Sequence, residues 1–199
     1  MKLKSILLIS TMLFINACTD NSVASTTTQF QQLLDEHWLH ATKEQVFFRN
    51  DPDTFRMNGK LPDMSEAGRT RRAEYNQTLL NRLAEIDLSK LSDADQVTYR
   101  LFKYERETEA KSYQNIDHYF PMNYYAGYHS YFAGAPGNMS FLTTKDYDNY
   151  LISLADFPRY NQQHLDDLTV AIEKGYTQFC ETFKNYHKSI SKHIVDNIQ

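Results

Sequence analysis

Histidine and carboxylate side chains on one helical face are the first candidates for chemistry in this chain. His37 and His40 lie three residues apart beside Glu36, and two helical histidines with a carboxylate can hold zinc. The spacing differs from His-Glu-x-x-His, in which the histidines are four residues apart and the glutamate acts as the base. The neighbouring Trp38 favours a packing role for this face instead. The sequence therefore predicts no metal ligand and no cofactor for this chain.

Nucleophilic catalysis has little support from sequence motifs. The chain contains no Gly-x-Ser-x-Gly element and no glycine-rich phosphate loop. Cys180 with His187 offers a thiol and an imidazole, but an inert cysteine is the favoured interpretation. His187 and His193 are six residues apart, which places them on different faces of a helix. We predict no catalytic residue, and two carboxylate pairs are interpreted as solvated helix faces: Asp35 with Glu36, and Asp166 with Asp167.

Segment 113–141 is the best candidate for a binding site. It holds nine aromatic residues interrupted by glycine and proline, and no single helical or strand period fits it. Tyrosine combines an apolar ring with a hydroxyl tip, which suits the lining of a concave pocket. The candidate ligand-pocket residues are Asn123, Tyr124, Tyr125 and His129. The alternative is that these rings only pack between helices, and the sequence leaves both interpretations open.

The amino terminus has the pattern of a bacterial export signal that ends at a cysteine. Lys2 and Lys4 are followed by an apolar run over residues 6–15, and Ala17 precedes Cys18. The pattern resembles the lipobox of bacterial lipoproteins, in which this cysteine carries lipid. Several acyl chains would hold the protein firmly on a membrane. We therefore predict a signal peptide over residues 1–17 and lipidation at Cys18; an ordinary signal peptide with a chance cysteine is the alternative.

The residues after Cys18 bear on the final location. In enteric-type bacteria an aspartate directly after the lipidated cysteine favours retention in the inner membrane, and here that position is Thr19. The sequence therefore predicts a lipid-anchored protein of the cell envelope, in the outer membrane and facing the periplasm. Residues 18–28 are small and polar, and they are interpreted as a tether between the membrane and a domain over residues 29–199.

Composition excludes several classes of protein. The formal net charge is −4, and no basic stripe is present, so no nucleic-acid partner is expected. The chain has two cysteines, and if Cys18 carries lipid then Cys180 has no partner within the chain. A disulfide framework and a cysteine-based zinc site are therefore excluded. The length of 199 residues allows one medium domain with a real core.

Hydrophobic periodicity predicts an all-α fold, an irregular multi-helix bundle with a long aromatic-rich loop. The first helix is expected to begin near Gln29, a second to run from Ser65 to Ile86, and a third to open at Ser92. On the third helix one predicted face consists of Val97, Leu101, Tyr104 and Thr108. A helix starting near Thr144 is expected to break or kink at Pro158 and to resume over residues 159–173. A last helix is expected over residues 181–198.

From Gln29 onward, a series of short motifs resembles the N-terminal part of the domain of unknown function 885 family. None of these motifs is a catalytic signature, and together they cover nearly all of the chain after residue 28. In order they are Phe30-x-x-Leu33-Leu34-Asp35-Glu36-x-Trp38, Leu61-Pro62-Asp63-Met64-Ser65, Phe120-Pro121-Met122-Asn123, Asp146-Tyr147-x-x-Tyr150-Leu151, Pro158-Arg159-Tyr160 and Gly175-Tyr176.

The resemblance implies a mostly helical protein, often a lipoprotein, related to zinc metallopeptidases. In the family the zinc motif lies in a C-terminal half beyond the matched part, so no residue here inherits a ligand or catalytic role. The chain is accordingly interpreted as a truncated envelope lipoprotein, the N-terminal part of a peptide-hydrolysing enzyme. A non-enzymatic lipoprotein that binds peptides or partners is the alternative, and a purely structural helix bundle is a third. A truncated member should also expose apolar rings, among them Tyr124, Tyr125 and Phe132.

Overall fold

The computed structural model describes residues 20–44, 59–123, 126–139, 141–192 and 194. Within these ranges the fold is all-α, as predicted, with no β-strand and a single isolated bridge between Met122 and Gly127. None of the described helices is long and apolar enough to cross a membrane. The α-helices are α1 Asp20–Glu44, α2 Glu66–Ala84, α3 Asp93–Ser112, α4 Tyr128–Gly134, α5 Thr144–Glu173 and α6 Tyr186–Ser191. Short 3₁₀ helices cover Leu88–Lys90, Asp117–Tyr119, Ala135–Asn138 and Cys180–Phe183.

Side-chain caps fix the starts of α2, α3 and α5, where the sequence predicts them. The Ser65 hydroxyl accepts a hydrogen bond from the Gly68 backbone N–H at 3.1 Å and begins α2. Ser92 does the same for Asp95 at 3.2 Å and begins α3. Asp146 of α5 accepts from the Thr143 backbone N–H at 2.7 Å in a capping box. Each cap satisfies backbone donors that the first turn of a helix leaves without partners.

Helix α1 begins earlier than the sequence predicts. It starts at Asp20, so the segment interpreted as a polar tether is helical from there to Thr28. The physical reason is that no glycine or proline interrupts residues 20–44, so the backbone can stay helical throughout. Phe30 is fully buried as its spacing predicts, whereas Trp38 is 55% exposed and does not extend the packing stripe. Cys18 lies outside the described residues.

Helix α5 runs without interruption through Pro158, where a break or kink was expected. The ring of Phe157 stacks on Phe132 at 4.3 Å, and Tyr160 is 4% exposed, so packing holds the chain on both sides of the proline. Pro158 itself faces solvent. The carbonyl that loses its helical partner belongs to Leu154, which is also on the exposed side, and water can hydrate it. The result is one helix of 30 residues.

Among the described residues, two hydrophobic clusters form the core. The first joins α1, α2 and α3, and the second joins α4, α5 and the segment that precedes α2. Members of the first are Phe30, Leu33, Leu79, Leu83, Ile86, Leu91, Tyr99 and Phe102. Members of the second are Leu61, Tyr128, Phe132 and Tyr160.

Part of the aromatic-rich segment packs against the helices, and part of it lies outside the described residues. Phe132 is only 8% exposed, so the expectation that its ring is uncovered is wrong, because α4 turns it against Phe157. Tyr124 and Tyr125 lie outside the described residues. Exposed apolar surface does occur, but on other elements. It includes Leu101 of α3, 58% exposed, and Leu151 of α5, 60% exposed.

Candidate functional site

A cleft of about 590 Å³ lies between α2 and α5 and is large enough to hold a ligand. The end of α3 and the 3₁₀ helix Asp117–Tyr119 close one side of it. Ligand pockets in proteins commonly measure about 300–1,000 Å³. The side chains that line it include both charge signs, two tyrosines and a few apolar residues. They are Met64, Ser65, Glu66, Arg69, Thr70, Arg72, Ala73, Ser112, Tyr113, His118, Tyr119, Gln163, Asp166, Asp167, Val170 and Lys174.

A two-pronged ion pair between α2 and α5 builds the cleft. The Arg69 guanidinium donates to the two carboxylate oxygens of Asp167 at 2.7 and 2.9 Å, and also to the Met64 carbonyl at 2.6 Å. Both side chains are largely buried, with 20% of Arg69 and 9% of Asp167 exposed. Parallel bonds of this kind fix orientation as well as distance. The pair therefore sets how the two walls of the cleft face each other.

A second polar network fixes the segment that leads into α2. Asp63 accepts hydrogen bonds from the Ser65 hydroxyl at 2.7 Å and from the Gln163 amide at 2.8 Å. Burial alone would raise the pKa of Asp63, but the hydrogen bonds from Ser65, Gln163 and Arg71 overcome it and lower the pKa to about 2. The Gln163 carbonyl oxygen in turn accepts from the Met64 backbone N–H at 2.8 Å. The entrance of α2 is thus held on α5 by a charged carboxylate at neutral pH.

Lys174 places a cation at one end of the cleft. Its ammonium donates to the Tyr119 hydroxyl at 2.6 Å and lies 5.1 Å from the centre of that ring. The hydrogen bond to Tyr119 raises the pKa of Lys174. Tyr119 is 8% exposed and stacks on Tyr176 with ring centres 5.6 Å apart, so the hydroxyl is fixed in place. An ammonium uses one of its three donors here and keeps two for a ligand.

Asp166 supplies an anion to the same cleft. It lies on α5 two turns before Lys174, the residue that caps the end of this helix, which corresponds to about 12 Å along the helix axis at about 1.5 Å per residue. Its carboxylate is exposed and accepts from the Gln162 amide at 2.8 Å. Between the two ends, His118 lies against Tyr119 with ring centres 4.0 Å apart. Burial and the charge of Arg69 lower the pKa of His118, so its imidazole is neutral at pH 7.

The residues that the sequence proposes for a pocket do not line this cleft where they are described. His129 is 9% exposed, its Nε2 atom lies 3.2 Å from the Ser189 hydroxyl, and its ring meets Tyr186 edge to face at 5.1 Å. The Asn123 side chain accepts from the Ala126 backbone N–H at 3.0 Å and closes a turn. Tyr124 and Tyr125 lie outside the described residues. His129 and Asn123 therefore have visible packing and turn contacts, and the pocket assignment stays a prediction.

Sequence reasoning missed the residues that build the cleft. The interpretation of Asp166 and Asp167 as solvated is correct only for Asp166, since Asp167 taken as a whole residue is 7% exposed. A signal was present in the sequence. Asp167 continues the spacing of Tyr160, His164 and Ala171, all of which are buried on one face of α5. A carboxylate in phase with a buried face needs a cationic partner, and Arg69 is that partner.

The His37 and His40 pair does not fit a zinc site. Both rings pack on Tyr75, with ring centres 6.3 and 3.5 Å away. They line a small pocket of about 120 Å³ in which Arg72 pairs with Glu44 and Arg106 pairs with Glu109, so the carboxylates near the two rings are already engaged by arginines. Within the described ranges no group of three or more His, Cys, Asp or Glu side chains is arranged to hold a metal ion.

Comparison with known proteins identifies a family and no individual relative. No curated protein and no solved structure matches the chain. A family model, by contrast, matches residues 45–197, which is more than half of the chain and includes every element from α2 to α6. The chain therefore belongs to the family described as bacterial protein of unknown function (DUF885).

Proposed function

We propose that this chain binds short peptides in the cleft between α2 and α5, as a lipid-anchored protein of the bacterial envelope. The observation that carries the proposal is the placement of Asp166 and Lys174 at separate points along one wall of a cleft of about 590 Å³. A peptide has an ammonium at one end and a carboxylate at the other. Asp166 on α5 and Lys174 at its C-terminal cap offer a partner for each end.

The length of the cleft supports a ligand of about three or four residues. An extended chain advances by at most about 3.3–3.6 Å per residue, so the separation of about 12 Å between Asp166 and Lys174 along α5 suits this length. Between the two charges, Val170 and the ring of Tyr113 provide apolar surface for peptide side chains. Apolar walls with a few polar groups that fix orientation are typical of ligand sites.

The proposal is tested with the tripeptide Ala-Tyr-Ala and two blocked forms, N-acetylated and C-amidated, by isothermal titration calorimetry. We expect the unmodified peptide to bind most tightly, and each block to weaken binding about tenfold, since one charge-assisted hydrogen bond is lost. In Asp166→Asn, acetylation of the peptide should no longer weaken binding, whereas amidation should still do so. In Lys174→Met, amidation of the peptide should no longer weaken binding, whereas acetylation should still do so.

Lys184→Met is the matched control, because Lys184 is exposed, pairs with Glu181 at 3.1 Å and does not line the cleft. It should bind all three peptides as the unaltered protein does. Absence of binding, or blocking penalties that are the same in Asp166→Asn and Lys174→Met, would contradict a site that recognises the two ends of a peptide.

Bond cleavage is not assigned to the described residues. The family resemblance implies zinc-dependent peptide hydrolysis, and His37 with His40, the best-spaced pair of histidines, does not fit zinc. Binding is therefore the activity proposed for the described residues.

Envelope anchoring is proposed from the export pattern that ends at Cys18, with the outer membrane as the destination. Cys18→Ser should abolish incorporation of radiolabelled fatty acid and leave an unprocessed or soluble form, because no thiol remains to carry the lipid. Cys180→Ser is the matched control and should keep both the label and the membrane fraction. Unlabelled protein that fractionates as a soluble periplasmic species before any substitution would rule out the anchor.

A further inference from the structure

Helix α3 is apolar on two opposite faces, and only one of them meets the core. Tyr99 and Phe102 are 9% and 7% exposed and pack in the first hydrophobic cluster. Val97, Leu101 and Tyr104 were predicted to form one face of this helix, and they do, but they are 62%, 58% and 68% exposed. Residues advance by about 100° each around a helix, so the two faces point in nearly opposite directions. A helix with this pattern is suited to a partner on its outer side.

The outer face has the spacing of a coiled coil. Leu101 follows Val97 by four residues, and Tyr104 follows Leu101 by three. The alternation continues in both directions, because Ala94 lies three residues before Val97 and Thr108 lies four residues after Tyr104. This average period of 3.5 residues keeps one seam facing a partner helix. We call these five positions the α3 seam: Ala94, Val97, Leu101, Tyr104 and Thr108. All five are exposed.

Charges beside the seam are complementary to a second copy of the same helix. Arg100 precedes Leu101 on one side of the seam, and Glu105 follows Tyr104 on the other side. Both are exposed. In a parallel coiled coil these are the flanking positions that meet across the interface, five residues apart in the two chains. Arg100 of one copy would therefore lie beside Glu105 of the other, and the two-fold symmetry would repeat the pair.

We propose that the α3 seam is a homodimer interface in which two copies pack α3 against α3 in parallel. The self-complementary charges at Arg100 and Glu105 favour a second copy over an unrelated partner. A parallel pair also directs both amino termini to the same side, which is compatible with two anchors in one membrane. The dimer does not depend on the peptide cleft, which lies between α2 and α5.

The size of the seam sets the expected affinity. From Ala94 to Thr108 the helix is about 22 Å long at about 1.5 Å per residue. Such a contact is smaller than the standard protein interface of about 1,200–2,000 Å². We therefore expect a weak dimer, with a dissociation constant in the micromolar range, that becomes populated where the protein is concentrated on a surface.

Cysteine cross-linking in cells tests the seam with the full chain. Leu101→Cys in a Cys180→Ser background should give a disulfide-linked dimer on a non-reducing gel after oxidation of intact cells, because a parallel seam places the two positions opposite each other. Lys103→Cys in the same background is the control, since Lys103 is exposed on α3 but lies off the seam. Cys180→Ser alone should give no dimer. Equal cross-linking from Lys103→Cys, or none from Leu101→Cys, would overturn the proposal.

A charge swap tests the partner and the orientation. Arg100→Glu and Glu105→Arg should each reduce the yield of the Leu101→Cys dimer about fivefold, because like charges then face each other. The double variant should restore the original yield. Yields in the double variant that stay as low as in the single variants would show that Arg100 does not meet Glu105, and would exclude a parallel dimer on this seam.

Discussion

Replacing Arg69 with leucine is expected to lower the free energy of unfolding by about 3–5 kcal/mol. The substitution removes the cation that pairs with Asp167 and leaves that carboxylate, only 9% exposed, without its partner in a poorly solvated position. It also removes the hydrogen bond from the guanidinium to the Met64 carbonyl. Urea denaturation followed by circular dichroism at pH 7 measures the loss.

Two variants separate the loss of a buried pair from the loss of any surface charge. Arg82 pairs with Glu36 at 2.6 Å but is 41% exposed, so Arg82→Leu should cost less than about 1 kcal/mol. The double variant Arg69→Leu with Asp167→Leu should recover much of the stability, because no unpaired charge stays behind. A double variant less stable than Arg69→Leu would mean that Asp167 contributes through contacts other than this pair.

Features encoded in a few adjacent residues could be predicted from the sequence. The caps at Ser65, Ser92 and Thr143 depend on one side chain and the backbone of the next turn, and the structure confirms all three helix starts. The same locality explains the early start of α1. The polar composition of residues 18–28 indicates a tether. Because no glycine or proline interrupts the chain from Asp20 to Glu44, the helix nevertheless includes most of this segment.

Features that depend on distant partners could not be predicted in this way. Pro158 has the local chemistry of a helix break, yet contacts of Phe157 with Phe132 hold α5 together. The spacing of Val97 and Leu101 correctly predicts a face of α3, but periodicity does not say which of two apolar faces meets the core. Segment 113–141 attracted the site prediction through its aromatic content, whereas the described cleft is built mainly from charged residues of α2 and α5.

The cleft illustrates why charged sites are hard to find in a single sequence. Arg69 and Asp167 are 98 residues apart in the chain, and the sequence around either residue does not indicate that the other is its partner. Only their joint position on buried helix faces connects them. The buried face of α5 is unusually polar, with Asn149, Ser153, His164 and Asp167 all at most 7% exposed. Such a face is informative, because each polar group on it needs a partner or changes its protonation.

His164 is the member of that face with the clearest consequence for stability. Its ring stacks on Tyr128 at 4.2 Å, meets Tyr160 edge to face at 4.6 Å, and is 5% exposed. Neither ring nitrogen has a hydrogen-bond partner among the described residues. Burial lowers the pKa of His164 to about 4; the charge of Asp167 opposes this shift and that of Arg69 adds to it. The folded protein therefore holds this imidazole neutral at pH 7.

Stability is consequently expected to fall as the pH drops from about 6.5 to about 4. In that range the unfolded chain protonates His164 and the folded chain does not, so acid favours unfolding. Through His164, the free energy of unfolding should be about 2 kcal/mol lower at pH 5, and about 3 kcal/mol lower at pH 4, than its value well above pH 6.5. Urea denaturation at several pH values between 4 and 8 measures this loss.

His164→Phe isolates the effect, because phenylalanine keeps a flat ring between Tyr128 and Tyr160 and cannot take up a proton. The difference in unfolding free energy between the variant and the unaltered protein should grow by about 2 kcal/mol in favour of the variant from pH 8 to pH 5. His187→Phe, at an exposed site, is the matched control for the replacement of a histidine by phenylalanine. Parallel pH profiles for His164→Phe and the unaltered protein would mean that His164 titrates alike in the folded and unfolded chains. In that case water must reach its ring nitrogens in the folded state, and the aromatic cluster around α5 would be open to solvent.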